Sequence, residues 1–399
     1  MNILFLTHCY PRYEGDSNGI FIHILAAALV EVGHKVHVLS PHAPGLPEEE
    51  TRECVLVRRF KYATEEAETL AYSNAMAESV FSSPRGMFRF FNMLSFWEKS
   101  ALSWHAEASF NGVHAHWWVP AGVVARRLAR RTGLPWGVTL HGTDVHLANK
   151  NAVFRFLANQ VIGDSRGAAV VSIFLRDIVS KWGFIDVPVA PMPIQLDFFS
   201  PLPHKTKKED DLVIFVAARL VPQKRVADAV RAVHFALEKG ANLRLKIAGD
   251  GPERETLELL VKEMRLEEKV EFLGEIPPDQ MVAQYDRSDI VLMLSEREGM
   301  GLVVAEAMAR GRAVIVAHHG GLEDFGKSGA RMVPLGDFRA VAEEISHLAS
   351  NVQLRNSMGR RSKEYASGRF RSQEAADKYV DCYRAWDFSE SKVLKKGSD

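Results

Sequence analysis

The sequence predicts an α/β protein of two doubly wound, Rossmann-like domains facing a central cleft, and three observations predict it. At 399 residues the chain is longer than most single domains. Short apolar runs alternate with longer stretches of helical periodicity, as parallel strands joined by crossover helices require. That alternation is interrupted once, by a proline-rich and then charged segment with the composition of an exposed linker.

In the first half, strands are read at NILFLT (2–7), KVHVLSP (35–41), VHAH (113–116), WGVTLHG (136–142) and AAVVS (168–172). Between the first two, GIFIHILAAALVEVGH spaces its apolar residues for a helix, with Gly33 as its stop. Residues 62–100 fit no parallel strand and read as a helical insertion. The linker is PMPIQLDFFSPLPHKTKKEDD (191–211), with four prolines before its charged run, which puts the domain boundary near 195–210. Beyond it the pattern repeats with LVIFVAA (212–218), LRLKIAGDG (243–251), VEFLGE (270–275), IVLMLS (290–295) and AVIVAHH (313–319).

Composition narrows the function classes. Fifty basic and fifty acidic residues leave a formal net charge of +0, so no global field gathers nucleic acid or an anionic membrane. Cys9, Cys54 and Cys382 are odd in number, widely spaced and without a CxxC pair, which argues against a disulfide framework and for a reducing, cytoplasmic home. The amino terminus lacks the features of a secretory signal, and no apolar stretch reaches the roughly 18 to 20 residues needed to span a bilayer.

Ligands of open α/β sheets bind beyond the carboxyl ends of the strands. Four such loops carry candidate chemistry. In SEREGMGLVVAEAMARG (295–311), Gly299 and Gly301 open a helix that Gly311 stops, with Glu298 in the loop and Glu306 about one turn in. Glu306 is placed to accept bonds from a diol; alternatively it favours the helix start electrostatically and Glu298 is solvated surface. After LVIFVAA, Arg219 and Lys224 can neutralise a diphosphate or stand as solvated cations, and Arg225 beside Lys224 leaves the assignment between those two open. His141, in TLHGTD ahead of Asp144, is placed as acid, base or donor, or is structural. Gly19, in YPRYEGDSNGIF, permits close backbone approach or is plain turn chemistry. No HExxH, DxD, clustered His or Cys ligands, or Gly-x-Ser-x-Gly elbow is present.

Taken together, these residues resemble the family 4 retaining glycosyltransferases of GT-B fold, almost from end to end. EGMGLVVAEAMARG is similar to that family's E-x(7)-E motif and ARLVPQK to its diphosphate-binding segment; IAGDGPER, VEFLGEI, AHHGGLEDF, TLHGTD and YPRYEGDSNGIF support them. The resemblance implies transfer of a sugar, with retention, from a nucleotide-diphosphate sugar to a hydroxyl of a glycan or lipid-linked acceptor, without a metal or cofactor. Arg219 and Lys224 would hold the diphosphate. Glu298 and the segment Gly299, Met300, Gly301, Leu302 and Val303 would contact the donor sugar and distal phosphate, Glu306 the ribose, His141 the sugar, and Gly19 the phosphates. It further implies an acceptor-binding domain over 1–195, a nucleotide-sugar domain over 196–371, and a piece over 372–399 whose helix crosses back to the first domain. Two departures stand out: Gly15 and Gly19 replace a glycine doublet, and PMPIQLDFF replaces the frequent Pro-Asn-Gly-Val-Asp. A sugar-nucleotide epimerase or a catalytically silent nucleotide-sugar-binding protein remains the alternative.

The acceptor is expected against the first domain. RGMFRFFNMLSFW (85–97) interleaves aromatics with Arg85 and Arg89, and ARRLARR (125–131) adds four arginines. They read either as an interfacial patch at the inner membrane face or as a buried amphipathic insertion beside a solvated basic face.

Overall fold

The computed structural model describes residues 1–72, 76–201 and 211–388. Residues 202–210 of the expected linker, 73–75 of the expected insertion and 389–399 of the expected tail lie outside the described residues. The chain divides into two compact units. One comprises 1–171, 176–192 and the chain from Ala375 onward; the other comprises 172–175 and Pro193–Glu374.

In the first unit the apolar runs form β1 (Asn2–Leu6), β2 (Lys35–Pro41), β3 (Glu49–Arg52), β4 (Val55–Phe60), β5 (Gly112–His116), β6 (Trp136–Leu140) and β7 (Gly167–Val170). They make one sheet in the order β3-β4-β2-β1-β5-β6-β7, parallel except for the β3–β4 pair. Helices α1 (Ile20–Glu31), α2 (Met76–Phe81), α3 (Pro84–Ala108), α4 (Val123–Thr132), α5 (Thr143–Asn149), α6 (Ala152–Gly163) and α7 (Ile173–Ser180) follow in chain order.

Strands β3 and β4 were not foreseen. EETR is an exposed polar edge, and β4 carries Arg58 and Arg59, so neither reads as an apolar run. Arg59 is nonetheless buried, because its Nη2 donates to the Pro11 carbonyl at 2.8 Å. The expected insertion is refined likewise: among the described residues its helical part is a short 3-10 turn at Glu65–Ala67 followed by α2 and α3, and α3 runs on to Ala108. Ser83 caps α3 by accepting from the Gly86 amide at 3.1 Å, with Pro84 in the first turn.

The last helix completes this unit. One sheet face carries Gly112, His114 and His116 on β5 and Gly137 and Thr139 on β6, because side chains alternate along a strand. His114, Gly137 and Gly167 lie in register across β5, β6 and β7. A Cβ on Gly137 or Gly167 would run into the buried Trp386 ring, and one on Gly112 into Phe388. Above the glycines, Tyr383 bonds His114 Nδ1 at 2.9 Å and Tyr379 bonds Thr139 Oγ1 at 3.0 Å.

In the second unit β8 (Leu212–Ala217), β9 (Leu243–Ala248), β10 (Val270–Gly274), β11 (Ile290–Met293), β12 (Ala313–Ala317) and β13 (Arg331–Val333) form an all-parallel sheet in the order β10-β9-β8-β11-β12-β13. Its central strands are buried on both faces, which is why they read as unbroken apolar runs. Helices α8 (Val226–Glu238), α9 (Arg254–Glu263), α10 (Pro278–Arg287), α11 (Leu302–Ala309), α12 (Phe338–Ser350) and α13 (Val352–Ser367) follow, with α14 (Ser372–Ala385) last in the chain. Arg310 is a buried tie: its guanidinium meets Asp286 of α10 through two bonds of 2.8 Å and the Ser200 carbonyl at 2.9 Å.

Gly137→Ala should destabilise the chain by about 1–3 kcal/mol, since Trp386 must leave a closely packed site. A lower denaturation midpoint with unchanged slope in urea checks this; an unshifted midpoint rejects it.

Candidate functional site

In the second sheet the order reverses between β8 and β11. Crossovers from these neighbours leave in opposite directions, so a crevice opens beyond their carboxyl ends. Arg219 follows β8 as an exposed side chain, and Lys224 lies five residues further on. Glu298 follows β11, and its carboxylate is ion-paired with the Lys224 ammonium, both side chains being largely buried.

Backbone bonds hold this pair in place. The Gln223 carbonyl accepts from Ser295 Oγ at 3.2 Å and from the Glu296 amide at 2.8 Å, binding the β8 loop to the β11 loop. The Glu298 carbonyl accepts from the Gly321 amide at 3.0 Å, bringing in the loop after β12. The Leu220 amide donates to the Asp250 carbonyl at 2.8 Å, which adds the loop after β9. Arg225 takes another course: it adopts a left-handed backbone and turns its Nε to Asp228 at 2.6 Å. Lys224, and not Arg225, therefore shares the crevice with Glu298.

Gly301 starts α11 with φ 83°, and a Cβ there would lie 2.9 Å from Leu322 Cδ2, so no other residue fits without strain. Among the described residues no side chain caps this helix, which leaves its first amides open to an anion. Gly299 forms the turn before it. Met300 is buried, while Leu302 and Val303 are half-buried. Glu306 accepts from Tyr285 Oη at 2.7 Å. Burial pushes its carboxyl up to about 7, against the tyrosine bond that lowers it.

The two first-unit candidates also come together. The sheet of that unit reverses between β1 and β5, and Gly19 ends the β1 loop with φ 68° at the start of α1. A Cβ on Gly19 would lie 2.5 Å from the Cys9 carbonyl oxygen. Phe21, in the first turn of α1, lies 5.4 Å from His141 between ring centroids. His141 Nε2 meets His116 Nδ1 at 3.1 Å, and its ring lies 4.3 Å from that of Trp117. Burial, and then His116 and His8, hold His141 well below the usual histidine range, so it is neutral at pH 7. Asp144 fixes the turn by accepting from the amides of His141, Gly142 and Val145 through Oδ1 and from that of Trp118 through Oδ2, while burial pushes its carboxyl to about 6.

Sequence reasoning missed His8, His116 and Trp117 here, and Gln223 and Tyr285 in the second unit. For His116 and Trp117 the signal was present: HAHWW closes the strand next to the reversal, but strand order is invisible without the sheet. Among the described residues no group of three or more His, Cys, Asp or Glu is placed to hold a metal ion.

Comparison with known proteins decides the family. A glycosyl transferases group 1 model matches residues 202–365, and a glycosyl transferase 4-like domain model matches residues 19–194. The chain belongs to the family 4 glycosyltransferases.

This glycosyltransferase is 26% identical to N-acetyl-alpha-D-glucosaminyl L-malate synthase of Bacillus anthracis, over 94% of its own length and 95% of the relative's. It is 28% identical to D-inositol 3-phosphate glycosyltransferase of Corynebacterium jeikeium, over 65% and 68% of the two chains. Its structure resembles that of sucrose-phosphate synthase from Thermosynechococcus elongatus, with a TM-score of 0.80 at 20% identity, covering 96% and 98% of the chains. Anabaena HepE in complex with UDP gives 0.71 at 16% identity over 96% and 100%. The two parallel-sheet units are thus those of the GT-B fold.

The raised Glu306 makes stability fall as pH rises. Below about pH 7 the folded glycosyltransferase keeps a proton that the unfolded chain releases near the ordinary value of 4.5. Glu306→Gln should therefore gain about 2 kcal/mol relative to the parent between about pH 5 and about pH 8. Urea unfolding of both chains at the two pH values measures this, and parallel pH profiles reject it.

Proposed function

We propose that this glycosyltransferase moves a sugar from a nucleotide-diphosphate sugar to a hydroxyl acceptor with retention at the anomeric carbon and without a metal. The observation that carries the reading is the convergence at the β8/β11 crevice of a cation pair, an uncapped helix start and two carboxylates. Arg219 and Lys224 with the first amides of α11 face the diphosphate, Glu298 the sugar, and Glu306 the ribose hydroxyls. Support for the donor class comes from neighbours whose structures hold UDP, UDP-glucose or UDP-2-fluoro glucose, so uridine diphosphate sugars are the first donors to test. Support for an α-linked product comes from the malate synthase, whose name describes an α-D-glucosaminyl compound. Three free cysteines fit work in a reducing, cytoplasmic compartment.

The chemistry follows from charge. As the bond between the anomeric carbon and the phosphate oxygen breaks, positive charge grows on the sugar and negative charge on the leaving diphosphate. Lys224, Arg219 and the helix amides oppose the second of these. The acceptor oxygen bonds to the anomeric carbon on the face the phosphate leaves, and the leaving phosphate oxygen takes the acceptor's proton. Glu298 is held by Lys224 and by the sugar hydroxyls, so it serves binding and not proton abstraction. His141, being neutral, can donate or accept a hydrogen bond without adding charge to its own loop.

Lys224→Ala and Glu298→Ala should each lower kcat/KM at least about tenfold, and the double variant less than the product of the two, because the residues form one pair. Kinetics with UDP-glucose and a panel of other nucleotide sugars test this, after a thermal-shift screen selects the donor. Near-parental kinetics in both single variants would remove the pair from the site. Release of free epimerised nucleotide sugar, or binding with no product, would replace transfer by one of the two alternatives.

A further inference from the structure

Helix α3 carries apolar residues on two faces. Met93, Leu94, Trp97, Ala101 and Trp104 are buried. On the other side Met87, Phe88 and Phe91, at one-turn spacing, are 42%, 66% and 54% exposed. Helix α6 extends this face: Phe81, just before α3, packs 5.6 Å from Phe154, and Val153, Phe156 and Leu157 beyond it are exposed. A groove of about 390 Å³ opens between residues 81–84 and Met87, Phe88 and Phe91. So many large apolar side chains adjoining one another in water mark a contact surface.

Charge identifies what is contacted. Residues 84–97 and 150–163 contain no carboxylate, whereas Arg85, Arg89, Lys150 and Arg155 are all exposed there. The basic run 125–131 does not contribute, which is its reading as a solvated basic face: Arg126 and Arg130 pair with Asp164, and Arg127 and Arg131 with Glu98. Among the described residues none of these four cations is in an ion pair, and with Glu78 of α2 as the nearby carboxylate, positive charge predominates around the exposed phenylalanines. A two-fold contact between copies would set these cations against their own equivalents. Among the described residues no helix is long and apolar enough to cross a membrane, so a lipid contact here is made from one side.

We propose that the face built from the start of α3 and from α6 docks on an anionic lipid bilayer. Met87, Phe88, Phe91 and Phe156 enter at the boundary of headgroups and acyl chains, where amphipathic helices lie. Arg85, Arg89, Lys150 and Arg155 meet the lipid phosphates. The proposal is independent of the transfer reaction, and binding alone tests it.

The full chain is floated on a density gradient with phosphatidylcholine vesicles, alone or with about one third phosphatidylserine. It should rise with the anionic vesicles, less so in high salt, and the double variant Phe88→Ser/Phe91→Ser should lower the bound fraction at least about tenfold. Arg85→Glu/Arg89→Glu, also at exposed positions, should abolish the preference for the anionic vesicles. The proposal fails if the parent stays at the bottom of both gradients or if both variants float like the parent. It also fails if light scattering shows a dimer that Phe88→Ser/Phe91→Ser dissociates while lipid binding is absent, which would assign the face to a second copy.

Discussion

The candidate donor site depends on the reversal of strand order between β8 and β11. Because the chain leaves these two strands toward opposite sides, neither helix covers their carboxyl ends, and backbone groups there are available to each other and to a ligand. A single carbonyl, that of Gln223, uses this opening to gather Ser295 and Glu296. It thereby brings Lys224 to Glu298, residues 74 apart in sequence. Removing either partner would leave a largely buried charge unopposed, which is why the pair works as a unit.

A second constraint sits behind the first. Glu306 on α11 and Arg310 at its C-terminal cap are four residues apart, hence on one face, and adjacent residues of α10 receive them: Tyr285 bonds Glu306 and Asp286 bonds Arg310. Arg310 also holds the carbonyls of Asp197, Phe198 and Ser200, so the segment after the first unit is fixed to the same helix. Partial removal from water leaves Glu306 easily protonated, so a ligand that donates hydrogen bonds to it favours its ionised form.

The first unit obeys a steric rule. Glycines on three neighbouring strands leave space for Trp386 and Phe388, and the hydroxyls of Tyr379 and Tyr383 satisfy Thr139 and His114 on the same sheet face. His116, in register with Thr139, and His141 beyond the end of β6 are kept neutral by burial. The outer helices of this unit differ in kind: α4 has its arginines matched by carboxylates, whereas α3 and α6 leave aromatic and basic side chains to solvent.

Local chemistry was legible in the sequence wherever a strand was buried on both faces. Runs such as LVIFVA and AVIVA have no polar interruption, and Gly33 and Gly311 mark helix ends by themselves. Edge strands such as EETR were not legible, because half-exposed segments carry no period that separates them from loops. The sequence also named Arg219, Lys224, Glu298, Glu306, Gly19 and His141 from their places at strand ends, but it left Lys224 and Arg225 equivalent. The resemblance chose Lys224, and the tertiary structure gives the physical reason, since the left-handed turn at Arg225 sends one side chain to Asp228 and leaves the other for Glu298. Likewise the sequence determined that residues 85–97 are aromatic and basic, while the helix direction of α3 decided which of those rings are buried and which meet water. The reason is common to both: composition is written along the chain, but partners are set by strand order and helix face, which contacts distant in sequence determine.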